Sequence, residues 1–517
     1  MKGKKIKRAI ISVSDKTGLI EFAGELQKYG TEIYSTGGTL KALLDGNVEA
    51  KSIESYTNFP EILDGRVKTL HPKIYGGILA RREIESHVAS LSEHDILEFD
   101  LVCINLYPFE KVVQSSDFSF EDAIENIDIG GPTMIRAAAK NYKDVAVVID
   151  PSQYNIIMER LKENEGSLSP EFRFDLAIKA FNRTAVYDSV ISGYLNNLQG
   201  DYLPENMTIG LQKIQNLRYG ENPHQKASFY TASNQKDLPW KCLHGKELSF
   251  NNLLDLDAAI RILIDFQDPI CAIFKHTNPC GVSAGKTQPE CLKEAMATDP
   301  VSYFGGIVAF NTQLETATAE ILSNEFVEII IAPAFEEEAF NILAKKKNVR
   351  IVEVQNLASL KLNQMDMRTS SFGFLLQEND RHTSVKEDIN IVSKVQPDDE
   401  QLEELLFAFQ LVKSIKSNAV VFAKGKRTLA VGAGQMSRID SIKIAIEKAK
   451  EVGLDLKGSY FASDAFFPFR DVVDQAAAIG VKGIIQPGGS MRDEESTAAA
   501  DEAGLIMIHT GIRHFKH

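Results

Sequence analysis

The chain has 517 residues, 44% hydrophobic and 25% charged, with a formal net charge of −14 and an isoelectric point near 5.4. That length requires at least two domains, and the acidic balance argues against a nucleic-acid partner while leaving anionic small substrates open. The five cysteines are scattered and form no Cys-x-x-Cys pair, the basic start (residues 1–8) leads into too short an apolar run for a signal peptide, and no apolar run approaches the ~20 residues of a membrane span, so the expected location is the cytoplasm.

Residues 9–13, 31–34, 101–106 and 145–149 read as strands, and residues 17–29 and 168–195 carry helical periodicity. That rhythm predicts a parallel α/β sheet. Residues 196–206 read as a linker, which places a boundary near 198 and domains over 1–197 and 198–517. A polar stretch ending in Pro397-Asp398-Asp399-Glu400 divides the second part near 377–400. Its two pieces look like a divergent repeat. One has Ala272-Ile273-Phe274-Lys275 and then Ser302-Tyr303-Phe304; the other has Val421-Phe422-Ala423-Lys424 and then Ser459-Tyr460-Phe461, each Ser-Tyr-Phe opening a strand.

In the first part, Ser12-Val13-Ser14-Asp15-Lys16-Thr17 and Ser35-Thr36-Gly37-Gly38-Thr39 stand at strand ends, the second before a helix beginning near Leu40. Hydroxyls and glycines at a helix N-terminus suit a phosphate, and strand C-termini of a parallel sheet share one edge. A threonine cap with a glycine turn is the plainer alternative. Gly65-Arg66-Val67-Lys68-Thr69-Leu70-His71-Pro72-Lys73 reads as a basic loop. Asn105-Leu106-Tyr107-Pro108 follows a buried strand, and Asp128-Ile129-Gly130-Gly131-Pro132 precedes a helix containing Arg136 and Lys140.

In the second part, one loop carries Arg218, Tyr219 and His224; the arginine could hold a phosphate while the tyrosine stacks on a base. Lys275-His276-Thr277-Asn278-Pro279-Cys280-Gly281 ends an apolar strand. Asn-Pro-Cys-Gly is expected to turn the chain there, delivering an ammonium and an imidazole as an acid/base pair or as a solvated strand cap. Val431-Gly432-Ala433-Gly434 lacks the third glycine of a dinucleotide fingerprint. Ser463-Asp464-Ala465-Phe466-Phe467-Pro468-Phe469-Arg470-Asp471 makes an apolar slot for a flat heterocycle, or a core aromatic cluster. The final Arg513-His514-Phe515-Lys516-His517 follows an apolar run at 505–508 and is expected to be tethered by a last strand.

Taken in order, these motifs closely resemble the bifunctional purine-biosynthesis family that carries AICAR transformylase and IMP cyclohydrolase activities, over essentially the whole chain. The resemblance implies a methylglyoxal-synthase-like α/β domain followed by two cytidine-deaminase-like α/β subdomains. It implies a homodimer with transformylase sites at the interface. It implies 10-formyltetrahydrofolate as co-substrate, no catalytic metal, and room for a structural monovalent cation whose ligands it does not place. For formyl transfer it implies His276 as base or proton shuttle, Lys275 for the oxyanion or the leaving-group proton, Asn418 orienting the formyl oxygen, and His517 completing the site. Arg218, Tyr219, Asn252, Arg513 and Phe515 would hold AICAR, and Arg438, Phe467, Pro468, Phe469 and Asp471 the folate. For cyclisation it implies Lys68, Tyr107, Asp128 and Lys140. The nucleotide would be held by Ser12, Lys16, Ser35, Thr36, Gly37, Gly38, Thr39, Arg66, Thr69, Asn105, Gly130 and Gly131. Lys516 stands where some relatives have a second histidine. A zinc deaminase is the first rival, but Cys280 is followed by Gly281, Val282 and Ser283, so the second thiolate is missing. A nucleotide sensor without catalysis is the second.

Overall fold

The computed structural model describes residues 3–107, 109–113, 118–233, 235, 237–362 and 365–517; Pro108, quoted above beside Tyr107, lies outside them. Contacts divide the chain into two compact units, Met1–Gln212 with Thr231–Lys236, and Lys213–Tyr230 with Asp237–His517. Among the described residues no helix is long and apolar enough to cross a membrane.

The first unit is built on five parallel strands: β1 (Arg8–Val13), β2 (Glu32–Ser35), β3 (Lys51–Ser52), β4 (Leu101–Asn105) and β5 (Ala146–Val148), in the order β3-β2-β1-β4-β5. Ile10, Ile11, Val102 and Val147 are fully buried, as continuous apolar strands covered on both faces require. Helices α1 (Leu19–Lys28), α2 (Gly37–Asp45), α3 (Pro72–Leu79), α4 (Gly130–Lys140) and α5 (Pro170–Leu198) join or cover the sheet. Helix α2 begins three residues before Leu40 because Thr36 is extended and Gly37 and Gly38 form the first turn. Helix α5 is capped by Ser169 with Pro170 at its first position and runs to Leu198, so Asn196 and Asn197, read as linker, are helical.

The second unit contains one topology twice. Its first sheet has β6 (Trp240–His244), β7 (Ile270–Lys275), β8 (Asn278–Ala284), β9 (Ile307–Phe310), β10 (Ile329–Ala332) and β11 (Arg350–Val354), in the order β6-β11-β10-β9-β7-β8. Its second sheet has β12 (Asn390–Ile391), β13 (Val420–Ala423), β14 (Thr428–Gly432), β15 (Tyr460–Ser463), β16 (Gly483–Gln486) and β17 (Ile506–His509), in the order β12-β17-β16-β15-β13-β14. In each, three central strands are parallel and the rest pair antiparallel. Helices α6 (Phe250–Leu263), α7 (Gln288–Thr298), α8 (Thr316–Asn324) and α9 (Glu337–Ala344) recur as α10 (Asp399–Val412), α11 (Arg438–Glu451), α12 (Asp471–Ile479) and α13 (Asp493–Ala503). Helices α6 and α10 share one core with a face of each sheet, through residues such as Leu256, Phe274, Leu405 and Tyr460. The other helices close the outer faces.

The duplication is therefore real, and Lys275 and Lys424 occupy matching places, but the Ser-Tyr-Phe segments are out of register. Gly305 N–H donates to Phe326 O at 2.7 Å and Gly458 N–H to Gly480 O at 2.7 Å; Glu328 N–H donates to Gly306 O at 2.9 Å and Lys482 N–H to Ser459 O at 2.8 Å. Gly305-Gly306 thus answers Gly458-Ser459. Tyr460 opens its strand, whereas Ser302, Tyr303 and Phe304 lie in the turn before β9. The turn after Lys275 also differs from expectation. Lys275 pairs with Asn278, and the two-residue turn is His276-Thr277, with φ of 52° and 64°. Asn278, Pro279, Cys280 and Gly281 belong to β8, an edge strand, where a proline's missing N–H is tolerated and the register shifts by a bulge.

Candidate active sites

In the first unit the strand C-termini gather two loops. The Asn105 carboxamide at the end of β4 accepts from Ser14 N–H (2.6 Å), Asp15 N–H (3.0 Å) and Ser14 Oγ (2.8 Å), and donates to Asp15 O (2.9 Å). Asn105 therefore shapes the loop carrying Lys16, which is exposed beside it. The Ser35 and Thr39 hydroxyls are buried and donate to Ile11 O (2.6 Å) and Val13 O (2.9 Å), locking β2 and α2 to β1. Thr36 makes no side-chain cap to α2, so the amides of the Gly37-Gly38 turn remain suited to an anion at a positive helix end. Ser12, on β1, reaches the same edge.

Asp128 stands at the entrance of α4. Its carboxylate accepts from Gly131 N–H at 2.8 Å, and its own N–H donates to Tyr187 Oη at 2.8 Å. Burial pushes its carboxyl up from the ordinary range, against the lowering effect of the Gly131 and Tyr107 backbone. A Cβ on Gly131 would lie 2.4 Å from Asp128 Oδ2, so only glycine permits this approach; a Cβ on Gly130 would lie 3.2 Å from Thr69 Oγ1. Tyr107 is exposed nearby. Arg66 is paired with Glu125, and Lys68 Nζ lies 3.1 Å from Glu61. Lys140 closes α4, ten residues from Gly130 and hence ~15 Å along the helix axis.

In the second unit a cavity of about 1190 Å³ opens at the ends of β7 and β9. Arg218, Tyr219, Asn252, Lys275 and His276 line it, with Asp255, Glu328 and Arg350, which sequence reasoning missed. Six Lys or Arg side chains against four Asp or Glu favour an anionic occupant. Arg218 lies over the Tyr219 ring, 4.7 Å from its centroid, and donates to its hydroxyl at 2.8 Å. Lys275 Nζ donates to Phe304 O at 2.5 Å, while His276 projects from the turn into solvent. Asn252 caps α6 reciprocally with Ser249 and donates to Glu328 at 3.3 Å.

A second cluster surrounds the C-terminus. Buried Arg438 donates through Nη2 to Asn418 Oδ1 and to Asp464 Oδ1, both at 2.8 Å, and through Nη1 to Phe466 O at 2.9 Å. Ser417 Oγ donates to Asp464 Oδ2 at 2.6 Å and accepts from Lys516 N–H at 3.0 Å. Ser417 N–H donates to Lys516 O at 2.9 Å. His514 is buried against Asp380 at 2.6 Å, so the tail is tied down beyond β17 as expected. Lys516 Nζ donates to Ser414 O at 3.1 Å, and burial lowers its pKa to about 8. Arg513 covers Phe515, whose ring centre is 5.8 Å from that of His517. Phe467 is fully buried in the core; Phe466, Pro468, Phe469 and Asp471 are exposed. The two clusters meet where Asn278 Oδ1 accepts from Lys416 N–H at 2.9 Å. Asn418, Arg438 and His517 do not line the Lys275–His276 cavity. Among the described residues no group of three or more His, Cys, Asp or Glu gathers as for a metal ion.

A family model described as AICARFT/IMPCHase bienzyme matches residues 138–448, and one described as MGS-like domain matches residues 18–133. The chain is 49% identical over 519 residues to the bifunctional purine biosynthesis protein PurH of Bacillus subtilis (strain 168), covering 99% of this chain and 100% of that one. It is 50% identical over 530 residues to the PurH of Neisseria meningitidis serogroup C (strain FAM18), covering 99% of each. A crystal structure of ForH aligns to 37% of this chain and 97% of its own at 34% identity, with a TM-score of 0.34. By these matches along its whole length, the chain belongs to the AICARFT/IMPCHase bienzyme family.

Proposed function

We infer that the chain is a bifunctional enzyme of purine biosynthesis, an AICAR transformylase and IMP cyclohydrolase. The observation that carries this reading is near-50% identity to PurH proteins along the full chain. 10-Formyltetrahydrofolate is the formyl donor in the transformylase reaction. Its formyl group passes to the 5-amino group of AICAR, and the formylated product then closes to IMP with loss of water.

The AICAR amine is a weak nucleophile because its lone pair delocalises into the ring and carboxamide. It must lose a proton as it attacks, and the leaving N10 must gain one. His276 takes the first role and Lys275 stabilises the oxyanion or supplies the second proton. Their place at the rim of a cavity with excess basic groups supports this. Arg218 and Arg513 bind the phosphate, with Tyr219 and Phe515 against the nucleotide. Asn418, held by Arg438, orients the formyl oxygen, and Asp471 accepts from the pterin beside Phe469. Since Asn418, Arg438 and His517 lie outside the cavity of Lys275 and His276, a homodimer in which one copy completes the site of the other is the arrangement that reading favours.

Cyclisation needs a folded substrate and a stabilised tetrahedral oxyanion. Lys68, Tyr107 and Asp128 serve it, with the phosphate at Gly37-Gly38 and Lys16. Lys140 is kept in the proposal on resemblance alone. The two activities divide near residue 198, where α5 ends. Five unpaired cysteines favour a reducing cytoplasm. The test is to replace His276 and assay each half-reaction separately: loss of transfer with cyclisation of supplied formyl-AICAR preserved supports the division, and loss of both contradicts it.

A further inference from the structure

The turn that carries His276 is held by a carboxylate, and the same device occurs in the second repeat. Asp255 on α6 follows the cap Ser249 by six positions; Glu404 on α10 follows the cap Asp398 by six. Asp255 Oδ1 accepts the Thr277 N–H at 2.6 Å, and Glu404 Oε1 accepts the Lys426 N–H at 2.9 Å. Thr277 and Lys426 are the second residues of matched two-residue turns and both are left-handed, with φ of 64° and 52°. The carboxylate is thus an inherited part of the fold.

The repeats diverge at the first turn residue. It is Gly425 in the second, where φ of 66° meets no steric penalty, and His276 in the first, where φ of 52° does. Two consecutive side-chain-bearing residues in the left-handed region persist only where their surroundings hold them, and such positions gather at active sites. Here the holders are Asp255, from behind the turn, and Asn278, which donates to His276 O at 3.1 Å. Asp255 and His276 border the same cavity.

We propose that Asp255 is a positioning residue for formyl transfer, its carboxylate fixing the Lys275–His276 turn so that the imidazole meets the reacting amine. The proposal rests on reading that cavity as the transformylase site. It separates geometry from chemistry: the hydrogen bond to Thr277 N–H matters, and Asp255 itself need not touch substrate.

The test uses the full-length enzyme with steady-state formyl transfer from 10-formyltetrahydrofolate to AICAR. The sole tryptophan, Trp240, lies in the second unit and reports its folding. Asp255→Ala should lower kcat roughly 10- to 100-fold, the cost of a misplaced catalytic group, with the KM for AICAR changed less than about threefold. Asp255→Asn, which keeps an acceptor oxygen, should recover most of the loss. Adding Thr277→Gly to Asp255→Ala should also recover activity, because glycine tolerates the turn unaided. Glu404→Gln, at the matching place without His276, should leave kcat within about threefold. The proposal is overturned if folded Asp255→Ala keeps parental kcat, or if Asp255→Asn is as impaired as Asp255→Ala. If Asp255→Ala fails to fold, Asp255→Ser, whose hydroxyl falls short of the Thr277 N–H, takes its place: lowered kcat beside near-parental Asp255→Asn supports the clamp, and parental kcat in folded Asp255→Ser overturns it. A parent enzyme without formyl transfer sinks the functional reading and this proposal with it; an active parent with unaffected variants sinks the proposal alone.

Discussion

Replacing Asp464 with alanine should unfold the second unit at a lower temperature and disable formyl transfer together. Asp464 is fully buried and accepts from Arg438 and Ser417 at 2.8 and 2.6 Å, and its carbonyl accepts the His514 N–H at 3.0 Å. Arg438 is only 8% exposed, and its Nε already lacks a partner among the described residues. Removing the carboxylate leaves a buried guanidinium uncompensated, which costs about 3–5 kcal/mol. For a unit of about 300 residues the unfolding entropy is ~0.6 kcal/mol/K, so the midpoint should fall by about 5–8 °C. Trp240 fluorescence follows this unit directly, as it holds the only tryptophan. Because Arg438 orients Asn418 and Ser417 anchors Lys516, transfer should fall even below the new melting range. A midpoint within about 1 °C of the parent would refute the premise that this pair is desolvated and structurally essential.

Other outcomes follow from the same geometry. His276→Ala should lower formyl transfer by roughly 10²–10⁴-fold while cyclisation of supplied formyl-AICAR continues, measured by separate product assays. A bulky tag after His517 should impair transfer more than a tag before Met1, since the tail is tied to Ser417; equal activities would mean the tail is not part of the site. Burial lowers Lys516 from 10.5 to about 8, so the unfolded state binds the extra proton between those values and stability contributed by this group rises with pH across that window. The gain is about 3 kcal/mol, to be seen as the difference between parent and Lys516→Met in urea unfolding at pH 8 and 10.5. No difference between the two would contradict a desolvated ammonium.

Much of this was legible in the sequence because it was written in local signals. The apolar runs before Lys16, Ser35 and Asn105 are buried parallel strands, and Ser169-Pro170 starts a helix as caps and prolines do. The duplication could be sensed from two strands ending in lysine, and Lys275 and Lys424 do occupy matching places, each bonded to a carbonyl before a glycine. Register was the harder part. Ser-Tyr-Phe recurs by coincidence, while the true correspondence runs through Gly305 and Gly458, which local similarity does not reveal. The turn was misassigned because Asn-Pro-Cys-Gly carries stronger turn signals than His-Thr, yet Asp255 from a distant helix holds the weaker one. Glu328, Arg350, Asp255 and Glu404 were invisible for the same reason: only tertiary packing brings them to a turn or cavity. The three phenylalanines of the expected slot part company because the loop after β15 turns Phe467 inward, where it joins Phe461, and leaves Phe469 beneath Arg492 at the surface.

The most direct measurement is the identity of the product after the full-length chain is incubated with AICAR and 10-formyltetrahydrofolate. The account expects IMP, with formyl-AICAR as the transient species. Accumulation of formyl-AICAR alone would contradict the assignment of Lys68, Tyr107 and Asp128 to cyclisation, and a folded chain that transfers no formyl group would contradict the account as a whole.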